Sequence, residues 1–228
     1  VQLPKLANRS ALPSGPTSTL IELWLVRHGE TQWNIDGRVQ GHQDIPLSPR
    51  GVGQAFRVAE RLAASRLPFE GLYASDLERA RETAAPIATV LGLGLRIDPR
   101  LREINSGLLQ GHLKDELPRF FPEYLAAVQQ DPWQTARPEG ESMAQVAQRL
   151  ASFVAELHPG RHLLITHGGV IRAALKQVLQ MQDQTWRRFN IANASITRLG
   201  LDCGVGQAYS VGDTAHLEVW ADALMDDT

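Results

Sequence analysis

The sequence predicts an α/β fold with helices on both faces of a largely parallel sheet. Three observations predict it. Short apolar runs alternate with amphipathic stretches of helical spacing. Glycine or a turn-forming cluster bounds most of the runs. The chain has 228 residues, 43% hydrophobic and 21% charged, enough for one domain with a substantial core or a domain plus a small cap.

Ile21–Arg27 (IELWLVR) is the first run and reads as a buried strand. A loop with Asn34, Asp36, Gly37 and Gly41 follows. Ser48-Pro49 has the form of an N-cap with proline in the first helical turn, and Val52, Ala55, Phe56, Ala59 and Leu62 continue at helical spacing. Gly71–Ala74 reads as the second strand, and 76–91 as a helix that stops at Gly92. A weaker helical stretch over 114–130 is interrupted near Pro118 and Pro122. Residues 142–157 form a clearer helix, with Met143, Val146, Ala147, Leu150, Val154 and Leu157 on one face. His162–Thr166 is the third strand, a helix over 170–179 follows it, and 195–199 and 208–211 read as late strands. Such sheets carry their sites at the carboxyl ends of strands, where His28 and His167 both fall.

Charge and composition exclude several functions. Lys plus Arg total 23 and Asp plus Glu 25, a net −2, so no basic field draws nucleic acid or anionic membrane. No apolar run reaches the roughly 18–20 residues of a membrane span. The lone Cys203 excludes an internal disulfide and suits a reducing, cytoplasmic compartment. Residues 1–19, with Pro4, Pro13 and Pro16, lack the apolar block of a secretory signal and read as an extension outside the domain of 20–228.

Known chemistries fall away in turn. A phosphate-binding P-loop needs Gly-Lys, which the chain lacks. Tyr209 stands where a cysteine phosphatase would place arginine after Cys203. There is no Asp-x-Asp, no Gly-x-Ser-x-Gly, no His-Glu-x-x-His and no Cys/His metal cluster. What remains is a set of His, Arg and Glu at element ends: Arg27-His28-Gly29-Glu30-Thr31, Arg79, Glu103 and His167-Gly168-Gly169. Phosphoryl transfer asks for these types. A neutral imidazole is a nucleophile near neutral pH, guanidinium forks match phosphate oxygens, and a carboxyl group can protonate a leaving oxygen and then activate water. Each residue alone has a plainer reading, as a structural histidine or a solvated charge. Together they indicate an anion site.

The residues 25–31 (LVRHGET), with Trp33-Asn34, resemble the signature of the histidine phosphatase superfamily, in the branch that contains the phosphoglycerate mutases. Further matches follow in order: Gln40-Gly41, Leu47-Ser48 with Gly51, Ser75-Asp76-Leu77 with Arg79, Leu101-Arg102-Glu103, residues 138–142 (PEGES), and Thr166-His167-Gly168-Gly169. Asn193 and Ser195 fit as well, so the resemblance spans about residues 20–215.

It implies a three-layer sandwich, a mixed, mostly parallel sheet between helices, with a small cap over about 104–137 and without metal or other cofactor. It implies His28 as phosphate acceptor, and Arg27, Arg79 and a protonated His167 as holders of the phosphoryl oxygens, assisted by Asn34 and the Gly168 backbone. It makes Glu103 the acid and then the base, turns Gln40 and Gly41 toward the substrate, and leaves Glu30 to loop structure. The implied partner is a small phosphorylated metabolite, and a homodimer is compatible with it. Phe120, Phe121, Tyr124 and Trp133 are available to line the cap.

One departure bears on function. Residues 107–111 (GLLQG) are closer to the Leu-Gln-Gly of mutases than to the Gly-x-Trp-Glu-Gly of many phosphatases. The stretch from Glu103 to Gly140, however, lacks the long mutase insertion, and an insertion shapes the whole pocket mouth. The length therefore favours hydrolysis through a phosphohistidine over phosphoglycerate isomerisation. The presence of the whole residue set argues against a non-catalytic binding domain.

Overall fold

A computed structural model describes residues 19–218. The sequence reading for residues 1–18 lies outside the described residues. Six strands form one mixed sheet in the order β3-β2-β4-β1-β5-β6. They are β1 (Ile21–Arg27), β2 (Gly71–Ala74), β3 (Leu95–Ile97), β4 (Gly160–Thr166), β5 (Ile196–Asp202) and β6 (Val205–Asp213). β3, β2, β4 and β1 run parallel, β5 is antiparallel to β1, and β6 is antiparallel to β5.

Strand side chains alternate between faces, and the sequence uses that period on both sides. Trp24 and Val26 of β1, with Leu163 and Ile165 of β4, pack against Val58, Ala59 and Leu62 of α2 (Pro49–Ser65) and Ala80, Ala84 and Ile87 of α3 (Glu78–Leu91). Leu23, Leu25 and Leu164 pack against Val146, Leu150 and Phe153 of α6 (Met143–Val154) and Ile171 and Leu175 of α7 (Gly168–Val178). The predicted layers are therefore present. No helix among the described residues is long and apolar enough to cross a membrane.

Several boundaries differ from the sequence reading, each for a local reason. α1 (Gln32–Ile35) is a single turn fixed by a reciprocal cap between Thr31 and Asn34, too short for a periodic signal. β3 is equally short and pairs only with β2. The stretch 114–130 is two helices, α4 (Leu117–Phe120) and α5 (Pro122–Gln130), separated at Phe121 because Pro122 disfavours helical backbone before it. α3 begins at Glu78 rather than 76, and α6 ends at Val154 rather than 157.

Candidate active site

Parallel pairing places the two histidines side by side. Arg27 at the end of β1 is in register with Thr166 at the end of β4, so His28 and His167 are the next residue on each strand. The His28 amide donates to the Thr166 carbonyl at 2.9 Å, and the imidazole centroids lie 5.1 Å apart. Ser75, just beyond β2, donates to the Ile165 carbonyl, which brings the first turn of α3 and Arg79 to the same end of the sheet. Thr83 ties the two segments together. Its hydroxyl accepts from the Gly29 amide at 2.9 Å and donates to the Arg79 carbonyl at 2.7 Å. Gly29 is required by close approach, since a Cβ there would stand 2.5 Å from the Gly51 carbonyl oxygen in the first turn of α2.

His28 is buried, and its Nδ1 bonds the Gly29 carbonyl at 2.7 Å. A carbonyl can only accept, so Nδ1 carries the proton and the Nε2 lone pair is left unshared. Burial, then the Arg79 and Arg27 charges, hold the His28 pKa well below its usual value, and the Gly29 bond opposes them. The imidazole is therefore neutral near neutral pH.

Both guanidiniums are aimed by backbone carbonyls rather than by acids. Arg27 donates from Nη1 to the Ile191 carbonyl at 2.6 Å. Arg79, fully buried, donates from Nη1 to the Gln43 carbonyl and from Nη2 to the Gly41 carbonyl, each at 2.8 Å. Burial lowers the Arg79 pKa to about 10, with Glu103 and Asp44 opposing, so it stays cationic at neutral pH. The Nε atoms of Arg27 and Arg79 and both ring nitrogens of His167 are buried without a protein partner. Leaving such groups unpaired costs about 1–3 kcal/mol each, and an anion bound among them would remove that cost.

The protonated His167 implied by the resemblance belongs to a phosphate-bound site, and in the protein's own field the ring is held neutral. Burial, then Arg79 and His28, push its pKa well below the usual value. Only an incoming dianion would favour its protonation.

Glu103 reaches the site from the loop after β3. Its Oε1 accepts from the Ile104 amide at 2.9 Å and from the Gly169 amide at 3.1 Å, in the first turn of α7. A Cβ on Gly169 would come within 2.2 Å of that oxygen, so the second glycine of the His-Gly-Gly motif makes room for the carboxylate. The loop backbone is pinned as well. Arg149 Nη2 donates to the Glu103 carbonyl at 3.0 Å, and His42 Nε2 lies 2.8 Å from the same oxygen. Arg149 is paired with Glu141.

The remaining predicted residues sort by geometry. Asn34 Oδ1 is taken up by Thr31 and by Asn193 Nδ2, which also donates to the His28 and Gly29 carbonyls. Asn193 thus fastens the nucleophile loop to Asn34. Gln40 is buried and its Oε1 lacks a protein partner. Gly41 acts through the carbonyl that aims Arg79, and Gly168 lies beside Arg27 and Arg172. Glu30 bonds Ser48 and Arg50, which is loop structure. Gln110 of the GLLQG segment accepts from the His42 amide at 2.6 Å and abuts Gly41, so it braces the loop that holds Arg79. Of the four cap aromatics, only Tyr124 lines the cavity beside Glu103. Phe120 and Phe121 pack on His112, and Trp133 packs on Trp186.

Sequence reasoning did not find the parts played by Gly169, His42, Arg149 and Gln110, which emerge only when distant loops meet. Among the described residues, no group of three or more His, Cys, Asp or Glu is placed to hold a metal ion.

The sequence profile of the histidine phosphatase superfamily (branch 1) matches residues 23–214. The chain belongs to this superfamily. A probable phosphoglycerate mutase of Escherichia fergusonii is 35% identical over 208 residues, spanning 87% of this chain and 96% of that protein. Among solved structures, a mycobacterial glucosyl-3-phosphoglycerate phosphatase superposes with a TM-score of 0.75 at 30% identity, covering 86% of this chain and 100% of that one. A phosphoserine phosphatase mutant from Entamoeba histolytica superposes with a TM-score of 0.74 at 29% identity, covering 86% and 99%. This member of the superfamily thus resembles proteins described as phosphatases and as mutases.

The buried neutral histidines set a pH dependence of stability. His28 and His167 have folded pKa values well below the 6.5 of a free histidine, so below pH 6.5 the unfolded chain binds more protons than the folded one. Stability is full above pH 6.5 and falls as pH drops below it, by up to about 1.4 kcal/mol per pH unit for each residue. Denaturant unfolding at pH 7.5, 6.5 and 5.5 checks this. His28→Ala should reduce the acid slope, whereas a slope unchanged by that substitution would show that His28 is not the titrating group.

Proposed function

We propose that the chain is a metal-independent phosphomonoester hydrolase that acts on a small phosphorylated metabolite through a phosphohistidine. The observation that carries this reading is the buried His28 imidazole. Its Nδ1 is bound to Gly29, its Nε2 is free, and the unpaired Nε atoms of Arg27 and Arg79 belong to the same buried cluster.

His28 Nε2 attacks phosphorus, the bond to the leaving oxygen breaks, and Glu103 in its acid form gives that oxygen a proton. Arg27 and Arg79 stabilise the equatorial oxygens, and His167, protonated as the dianion arrives, adds a donor. The Glu103 carboxylate then takes a proton from water. The resulting hydroxide attacks phosphorus, the N–P bond breaks, and phosphate and neutral His28 are released. Retention of phosphate for return to a sugar acid would make the same residues a mutase. The short stretch between Glu103 and Gly140 favours release to water, and the names of the two superposed phosphatases support it. The single described cysteine, Cys203, is exposed and free, which suits a reducing, cytoplasmic setting.

A phosphomonoester panel assayed for free phosphate in excess EDTA tests the reading, with phosphoglycerate isomerisation run alongside. Phosphate release undiminished by EDTA and faster than isomerisation is expected. Activity lost on chelation and restored by Mg²⁺ would refute metal independence, and isomerisation without phosphate release would assign a mutase.

A further inference from the structure

Glu103 sits in a stretch without regular structure. After the single 3₁₀ turn Pro99–Leu101, residues 102–106 are neither helix nor strand. Such a loop has no hydrogen-bond ladder of its own, so its backbone groups must find partners elsewhere. They find them on side chains from distant parts of the chain. Thr166 of β4 donates to the Leu101 carbonyl at 2.7 Å. Arg149 of α6 donates from Nη1 to the Arg100 carbonyl at 2.6 Å and from Nη2 to the Glu103 carbonyl at 3.0 Å. Glu141, just before α6, accepts from the Asn105 amide through Oε2 at 2.8 Å. Its own amide donates to the Asn105 carbonyl at 2.8 Å. Arg149 and Glu141 are joined as a fork, Nε to Oε1 at 3.1 Å and Nη2 to Oε2 at 3.2 Å.

An arginine–glutamate pair on a surface usually contributes little. This one is mostly buried, with side chains 17% and 22% exposed, and it bears on one particular peptide group. The Glu103 carbonyl has two lone pairs, and both are used, by Arg149 and by the His42 Nε2 at 2.8 Å. The other end of the same peptide is the Ile104 amide, which donates to Glu103 Oε1 at 2.9 Å. Carbonyl and amide share one rigid plane. The side chain that fixes the carbonyl therefore also fixes the donor that aims the carboxylate, and a rotation of the plane would turn Oε1 away.

We infer that Arg149, braced by Glu141, is a positioning residue for the general acid: it holds the Glu103–Ile104 peptide plane and so aims the Glu103 carboxyl at the leaving oxygen. The inference rests on the phosphatase reading above. A guanidinium is needed because its planar fork serves Arg100, Glu103 and Glu141 at once, whereas lysine offers a single nitrogen.

The test is Arg149→Lys, which removes the fork but keeps the positive charge that also bears on His167. Rapid-quench first turnovers compare p-nitrophenyl phosphate with the alkyl phosphate that the native enzyme hydrolyses fastest in the panel above. A misaimed acid should slow the alkyl ester about 10–100-fold, the scale of a misplacement near 1 Å. The nitrophenyl ester should slow less than about threefold, because nitrophenolate leaves without a proton. In a Glu103→Gln background, adding Arg149→Lys should change the alkyl rate less than about twofold, since no acid is left to aim. Glu141→Gln keeps an oxygen for the Asn105 amide and removes the ion pair, and should repeat the leaving-group pattern at smaller size. Should Arg149→Lys not fold, Glu141→Gln carries the same comparisons. Equal losses on the two esters would overturn the inference, because a merely structural arginine has no leaving-group preference. An unchanged alkyl rate, or a full further loss in the Glu103→Gln background, would overturn it as well. Failure of the native enzyme to hydrolyse any ester would instead refute the phosphatase reading.

Discussion

His28→Ala is expected to leave a folded protein whose turnover of phosphomonoesters has dropped about 10⁶-fold, the scale of losing a covalent nucleophile. The covalent route needs the Nε2 lone pair, and no neighbour can supply it. His167 lies 5.1 Å away by ring centroids, beyond the end of the adjacent strand, so its ring cannot take the position that the His28 ring vacates without a shift of that backbone. The fold should tolerate the change. The His28 side chain makes one described hydrogen bond, to the adjacent Gly29 carbonyl, and its backbone remains paired with Thr166. Removing it also relieves a buried group from the field of two arginines. A thermal melt near that of the native protein, with phosphate release at background, is the predicted pair of results. Activity within tenfold of native would show that His28 is not the nucleophile.

Glu103→Gln is expected to slow alkyl phosphate hydrolysis by about 10²–10⁴-fold, the usual contribution of a positioned acid. Glutamine can keep its Oε1 on the Ile104 and Gly169 amides, so geometry is retained while the proton is lost. The loss should depend on the leaving group. Nitrophenolate needs little protonation, so the first turnover of p-nitrophenyl phosphate should be only mildly affected. Breakdown of the phosphohistidine would still lack its base, giving a burst of nitrophenol followed by slow turnover. Rapid-quench kinetics with both ester types distinguish the cases. Equal first-turnover losses would exclude Glu103 as the acid. The same leaving-group dependence in Glu30→Gln would move the role there, although Glu30 is engaged by Ser48 and Arg50.

Much of this architecture was legible in the sequence because its signals are local. β1 and the last five residues of β4 are apolar runs followed by a histidine, and α2 and α6 carry serine caps with apolar faces of helical period. β3 and α1 escaped because three or four residues cannot display a period. The predicted site residues lie at element ends, and the parallel register of β1 with β4 brings His28 and His167 together. What stayed illegible depends on loops meeting in space. Gly169 reads as half of a glycine pair until Glu103 is seen to rest on it. Gln110 reads as part of a mutase-like motif until it is found bracing His42 and Gly41. Residue type alone also does not reveal that burial beside Arg79 holds the His167 pKa well below its usual value in the protein's own field. Which of the four cap aromatics would line the cavity was likewise not legible, since a ring available in sequence can be spent on packing, as Phe120, Phe121 and Trp133 are.

The central claim is that phosphate passes through His28 Nε2. Its most direct test is to mix the native enzyme with ³²P-labelled phosphomonoester for milliseconds, quench in alkali, and map the label by peptide mass spectrometry. The account predicts base-stable, acid-labile label on the peptide that contains His28, attached at Nε2 and missing from His28→Ala. Acid-stable label on serine or threonine, or label retained in His28→Ala, would contradict it.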